Sequence, residues 1–141
     1  MSLDVSLYSE GKVKKECIHC GSEYEYRECL FDANITHNLC EMAYKAGIYD
    51  ACWRPYRLHK NYIPSEVYED ESKFEKSVVM KAKDILPLLE KGYCELKAKP
   101  EYFEQFNSDN GWGLYKNFLP WVEKYLNACK NYPDAIIEVR R

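Results

Sequence analysis

The chain has 141 residues, 46% of them hydrophobic and 30% charged, which excludes a disordered or fibrous protein and fits one globular domain, 1–141. At this length folding buries about 68% of the surface the unfolded chain exposes, so a core forms without covalent staples. Lys and Arg number 20 against 23 Asp and Glu; a net charge of −3 gives no basic field for duplex nucleic acid, and no apolar run approaches the roughly 20 residues of a membrane span.

Leu3, Val5 and Leu7 alternate with Asp4, Ser6 and Tyr8, the period of a half-buried strand. A glycine-containing break follows at Ser9–Lys12. Residues from about 13 to 31 read as a hairpin with Cys-Ile-His-Cys-Gly-Ser at its tip and Tyr24 and Tyr26 on one face of the return strand. The period then changes to 3.6. Leu39, Met42, Ala43 and Ala46 form an apolar stripe, with Asn34 or Thr36 as cap and Gly47 as terminator.

The stretch from about 56 to 80 has mixed charge and no steady period, and is expected to be a long, partly mobile surface excursion. A helix over about 84–98 turns Ile85, Leu88, Leu89 and Leu96 inward and tolerates Pro87 in its first turn. Pro100 opens a short helix through Phe106. Tyr115, Phe118, Leu119, Val122, Tyr125, Leu126 and Cys129 keep helical spacing, with Pro120 predicting a kink or a late start. After the Pro133-Asp134 turn, Ala135, Ile136, Ile137 and Val139 make a last strand. The fold class is therefore α+β: a small, mainly antiparallel sheet of N-terminal strands, hairpin and C-terminal strand, packed against three to four helices.

Thirteen Tyr against five Phe suit the wall of a cleft, because the ring is apolar and its tip polar. The seven cysteines are an odd number with no secretory signal before them, so reduced thiols and a cytoplasmic setting are expected. Cys17-x-x-Cys20-Gly21 resembles one zinc knuckle: two thiolates across a tight turn can share a tetrahedral Zn²⁺. One knuckle supplies only two ligands. Cys29 is the candidate third, with His19 or His37 as fourth; the alternative is a plain hairpin with free thiols.

Three further segments combine polar and aromatic groups. Asn34, Thr36, His37 and Asn38 stand at a helix start, either as a capping cluster or as partners for an anion. Arg54 beside Trp53 can fork onto a carboxylate or phosphate, or make a surface ion pair. Asn110-Gly111-Trp112-Gly113 can floor a cleft with Tyr115 one turn on, or plug the core. No G-x-S-x-G, H-E-x-x-H, Walker A or G-x-G-x-x-G motif occurs.

Met-Ser-Leu-Asp-Val, the run Ala33–Leu39 (Ala-Asn-Ile-Thr-His-Asn-Leu), Ala46-Gly47-Ile48-Tyr49, Trp53-Arg54-Pro55 and Asn110–Gly113 together resemble a family of short uncharacterised proteins of bacteria and their phages. The resemblance implies a bacterial or phage setting and a cytoplasmic home, and supplies no mechanism. The cysteine hairpin and the 56–80 excursion stand outside it.

The residues favour a non-enzymatic module binding a small anionic or nucleotide-like ligand, or a protein partner, in one cleft made by Asn34, Thr36, His37, Asn38, Trp53, Arg54, Asn110, Trp112 and Tyr115. The alternatives are a small enzyme with His37 as general base and Arg54 as electrostatic stabiliser, and a zinc-stapled interaction domain.

Overall fold

The computed structural model of the chain describes residues 1–64 and 70–141. In chain order these form β1 (Ser2–Glu16), β2 (Glu23–Thr36), a 3-10 turn (His37–Leu39), α1 (Cys40–Lys45), α2 (Tyr49–Trp53) and a second 3-10 turn (Pro55–Leu58). Then come α3 (Glu71–Ser77), α4 (Ala82–Ala98), α5 (Pro100–Glu104), α6 (Tyr115–Asn131) and β3 (Ile136–Arg140). The architecture is α+β, as the sequence predicts.

The sheet is antiparallel in the order β2-β1-β3, so the two terminal strands pair: Val5 faces Ala33 on one side and Val139 on the other. Period 2 sorts its faces. Leu3, Val5, Leu7 and Ile137 are buried, whereas Asp4, Asp32, Asn34, Glu138 and Arg140 are exposed on the opposite face. Phe31 stacks on Tyr125 of α6 at 5.9 Å and 6°, which seats that helix on the apolar face. α4 packs against α6 through Ile85, Leu89, Phe118 and Val122, all wholly buried.

The break expected at Ser9–Lys12 is a bulge inside one long strand. Register shifts fall between Leu7 and Tyr8 and between Tyr8 and Lys12. The Ser9 hydroxyl accepts from the Glu28 N–H (3.0 Å) and donates to the Gly11 carbonyl (2.9 Å), replacing ladder bonds the bulge removes. The hairpin is thus the outer half of a ribbon reaching back to Thr36, and Asn34 lies on β2 rather than at a helix start.

The 56–80 stretch is more ordered than a structureless excursion. Asp70 caps α3 by accepting from the Lys73 N–H (3.2 Å), and Arg57 and Arg141 hold that helix through Glu71 and Glu75, each at 2.7 Å. α3 buries none of its residues, which is why it carries no apolar period. The expected mobility of residues 65–69 lies outside the described residues. Both interior prolines sit in the second turn of their helices, and each removes one bond to the carbonyl four residues back. Pro87 is not in the first turn because α4 begins at Ala82, where Asp84 accepts from the Lys81 N–H (2.9 Å). Among the described residues no helix is long and apolar enough to cross a membrane.

Candidate functional site

A cleft of about 480 Å³ lies between the end of β2 and the loop that enters α6. Its walls include Ser2, Asn34, Thr36, Asn38, Trp112 and Asn117. The loop is fixed from within. Asn110 Oδ1 accepts from the Ser108 hydroxyl (2.7 Å) and from the Trp112 N–H (2.9 Å), and Asn107 Oδ1 accepts from the Tyr115 N–H (2.7 Å) to cap α6.

It is also latched to the opposite wall. Asn38 Nδ2 donates to the Trp112 carbonyl at 2.8 Å. Gly113, at φ +114°, lies so close to Asn38 that a Cβ there would come 2.8 Å from the Asn38 Cβ. The latch holds the Trp112 backbone and leaves the residue 71% exposed, whereas Trp53 and Trp121 are 1% and 8% exposed.

Of the segments expected to converge, two do. Asn34, Thr36, Asn38 and Trp112 line the cleft, although Asn34 also donates to Asp4 and Thr36 Oγ1 accepts from the Asn38 N–H at 3.3 Å. Asn110 shapes the loop from behind. Tyr115 belongs to the core, stacked on Phe103 and donating from its hydroxyl to the Leu96 carbonyl at 2.7 Å. His37 turns away from the cleft: its Nδ1 accepts from Trp53 Nε1 at 2.9 Å, and Trp53 in turn stacks on Tyr49 at 5.5 Å.

Arg54 stands apart in a charge-balanced network. Its Nη1 donates to the Tyr56 hydroxyl (2.8 Å) and lies 3.7 Å from Glu71, while Arg57 donates to Glu71 at 2.7 Å and reaches Asp50 at 3.5 Å. The hydrogen bond from Arg57 pulls the Glu71 carboxyl down to about 2. The three indicators His37, Arg54 and Trp112 therefore do not face one cavity. The reason is local: Trp53 ends α2 pointing into the core, and Arg54 leaves the helix at φ −142° toward α3.

Sequence reasoning missed Ser2 and Asn117. Asn117 stands in the first turn of α6, and its signal was an amide on the polar side of a helix that begins straight after the Trp112 loop. Among the described residues no Lys or Arg side chain lines the cleft.

The cysteines separate into two kinds. Cys52 and Cys129 are buried, and burial pushes both thiols up, Cys129 to about 12. Cys17 and Cys20 meet at the tip of the ribbon, where Cys20 Sγ lies 2.9 Å from the Ser22 hydroxyl. Cys29 is not brought to them. It pairs with Tyr8 at the foot of the arm, on the order of 25 Å from the tip at 3.3 Å per residue, and donates to the Phe31 carbonyl. His37 is further still, at the end of β2. Among the described residues no group of three or more His, Cys, Asp or Glu side chains could hold a metal ion.

Comparison with protein-family models, with curated proteins and with solved structures finds no match.

Proposed function

We propose that the chain is a binding module whose cleft takes a flat, uncharged, hydrogen-bonding group of the nucleobase kind, carried by a nucleoside-like small molecule. The observation that carries this reading is Trp112, a residue 71% exposed on a loop whose backbone is pinned by Asn38 and Asn110. An exposed indole on a held backbone is a stacking platform, and stacking one base contributes about 1–3 kcal/mol. Side-chain amides and hydroxyls around it offer donors and acceptors to a ring edge. A volume of about 480 Å³ falls within the range of small-molecule sites.

The wall chemistry favours the nucleotide-like side of the expected ligand class over the anionic side. Among the described residues the lining holds no Lys or Arg side chain, so no guanidinium fork meets a phosphate there. Free nucleosides should therefore bind at least as tightly as their phosphates.

Ligand-observed NMR with the four common nucleosides, their monophosphates and a set of neutral sugars tests this. The expected result is saturation transfer to a base ring, lost in Trp112→Ala and weakened in Asn117→Ala. Transfer confined to sugars, or a hit indifferent to Trp112→Ala, would overturn it.

A further inference from the structure

Two side-chain amides in the wall of the cleft are not free to turn. Asn34 Nδ2 donates to the carboxylate of Asp4, its partner across the β1–β2 ladder, and Asn38 Nδ2 donates to the Trp112 carbonyl at 2.8 Å. A carboxylate and a carbonyl only accept, so each fixes the NH₂ end of its amide toward itself. The nitrogens have partners; the oxygens do not. Among the described residues no donor meets Asn34 Oδ1 or Asn38 Oδ1. Thr36 is set in the opposite sense. Its Oγ1 accepts from the Asn38 N–H at 3.3 Å, which leaves its own hydroxyl proton to donate. All three residues line the cleft with Trp112.

Two unpaired acceptors and one donor form a pattern that few flat rings answer. The Watson–Crick edge of guanine carries a carbonyl, a ring N–H and an exocyclic NH₂. That is one acceptor and two donors, the complement of Thr36, Asn34 and Asn38. Uracil sets two carbonyls about one N–H, and cytosine sets one NH₂ beside a ring nitrogen and a carbonyl. Each would lay an acceptor over an Asn oxygen. Adenine offers one NH₂ and leaves the second oxygen without a donor. An acceptor covered by a ligand and left unpaired costs free energy, so these mismatches weaken binding.

On the reading of the cleft as a base site, we propose that it selects guanine-type bases: Asn34 and Asn38 accept from the ring N–H and the 2-amino group, and Thr36 donates to the carbonyl. Asn38 serves both the latch and the edge, its nitrogen holding the Trp112 loop and its oxygen left for the base. Asp4 is a positioning residue. It stands outside the lining, opposite Asn34 on β1, and sets the direction of that amide without touching the base.

Ligand-observed NMR titrations of the full chain with guanosine, inosine and uridine test the proposal. Inosine is guanosine without the 2-amino group, so it keeps the stacking ring and loses one contact. Guanosine should bind about five- to tenfold more tightly than inosine, the worth of one net hydrogen bond, and more tightly than uridine. Asp4→Asn replaces an acceptor with an amide that can donate to Asn34 as readily as accept from it. The guanosine-to-inosine ratio should then fall to within about twofold, a change of preference that a purely structural role would not produce. Inosine or uridine binding as tightly as guanosine through Trp112, or a ratio untouched by Asp4→Asn, would overturn the base preference and leave the cleft reading standing. No Trp112-dependent binding of any nucleoside would overturn both.

Discussion

Replacing Gly113 by alanine tests the latch on which the cleft depends. At φ +114° a side chain is held in a region that glycine alone occupies readily, a cost of about 1–3 kcal/mol. The added Cβ would also stand 2.8 Å from the Asn38 Cβ and 3.2 Å from its carbonyl carbon, and overpacking of that kind costs a further 1–3 kcal/mol or so. Relief by small shifts leaves a total of about 2–4 kcal/mol. For a domain of this length that is a fall in Tm of about 6–15 °C. Gly111 is the control: it has φ +78° but open space around it, so alanine there meets only the backbone cost of about 1 kcal/mol. Scanning calorimetry of the two variants and the wild type decides the matter. Gly113→Ala should melt well below Gly111→Ala and should also lose nucleoside binding, because the wall can relax only by moving Asn38 away from Trp112. Equal melting temperatures would refute the close approach and, with it, the latch.

Two further outcomes concern the arginine network. The folded pKa of Glu71 is depressed, so its contribution to stability is complete above the unfolded carboxyl value and is lost as pH falls toward about 2. With the side chain 27% exposed, screening reduces this to about 1–2 kcal/mol. Urea melts from pH 7 to pH 2 should show Glu71→Gln less stable than wild type at neutrality and converging with it in acid. Arg54→Ala should cost about 1–2 kcal/mol through its lost bond to Tyr56, yet leave nucleoside affinity within about twofold, since it does not touch the cleft. Unchanged stability with abolished binding would instead place Arg54 in the site.

What could be read from the residues divides along a physical line. Alternation at Leu3–Leu7 and Ile137–Val139 predicted the strands because each side chain there chooses a face from its own position in the pleat. The stripes in α4 and α6 were legible for the same reason at period 3.6. The Ser9 bulge was not, because a hydroxyl replacing two ladder bonds leaves no trace in hydropathy. α3 was missed because its stability comes from Asp70 and from arginines distant in sequence, not from an apolar face. The cleft was half legible. Trp112 looked surplus to packing and Asn38 stood in the polar cluster near it, but whether Arg54 joined them depended on the angle at which the chain leaves α2. His37 looked idle because its partner, the Trp53 indole N–H, is set by tertiary packing.

If a base stacks on Trp112, acrylamide quenching of tryptophan emission reports it. With Trp53 and Trp121 buried and Trp112 71% exposed, the quenchable emission belongs almost wholly to Trp112. A saturating nucleoside should protect that fraction from acrylamide, and Trp112→Ala should remove both the quenchable emission and the binding. Undiminished acrylamide quenching in the presence of bound nucleoside, or wild-type affinity in Trp112→Ala, would contradict stacking on Trp112.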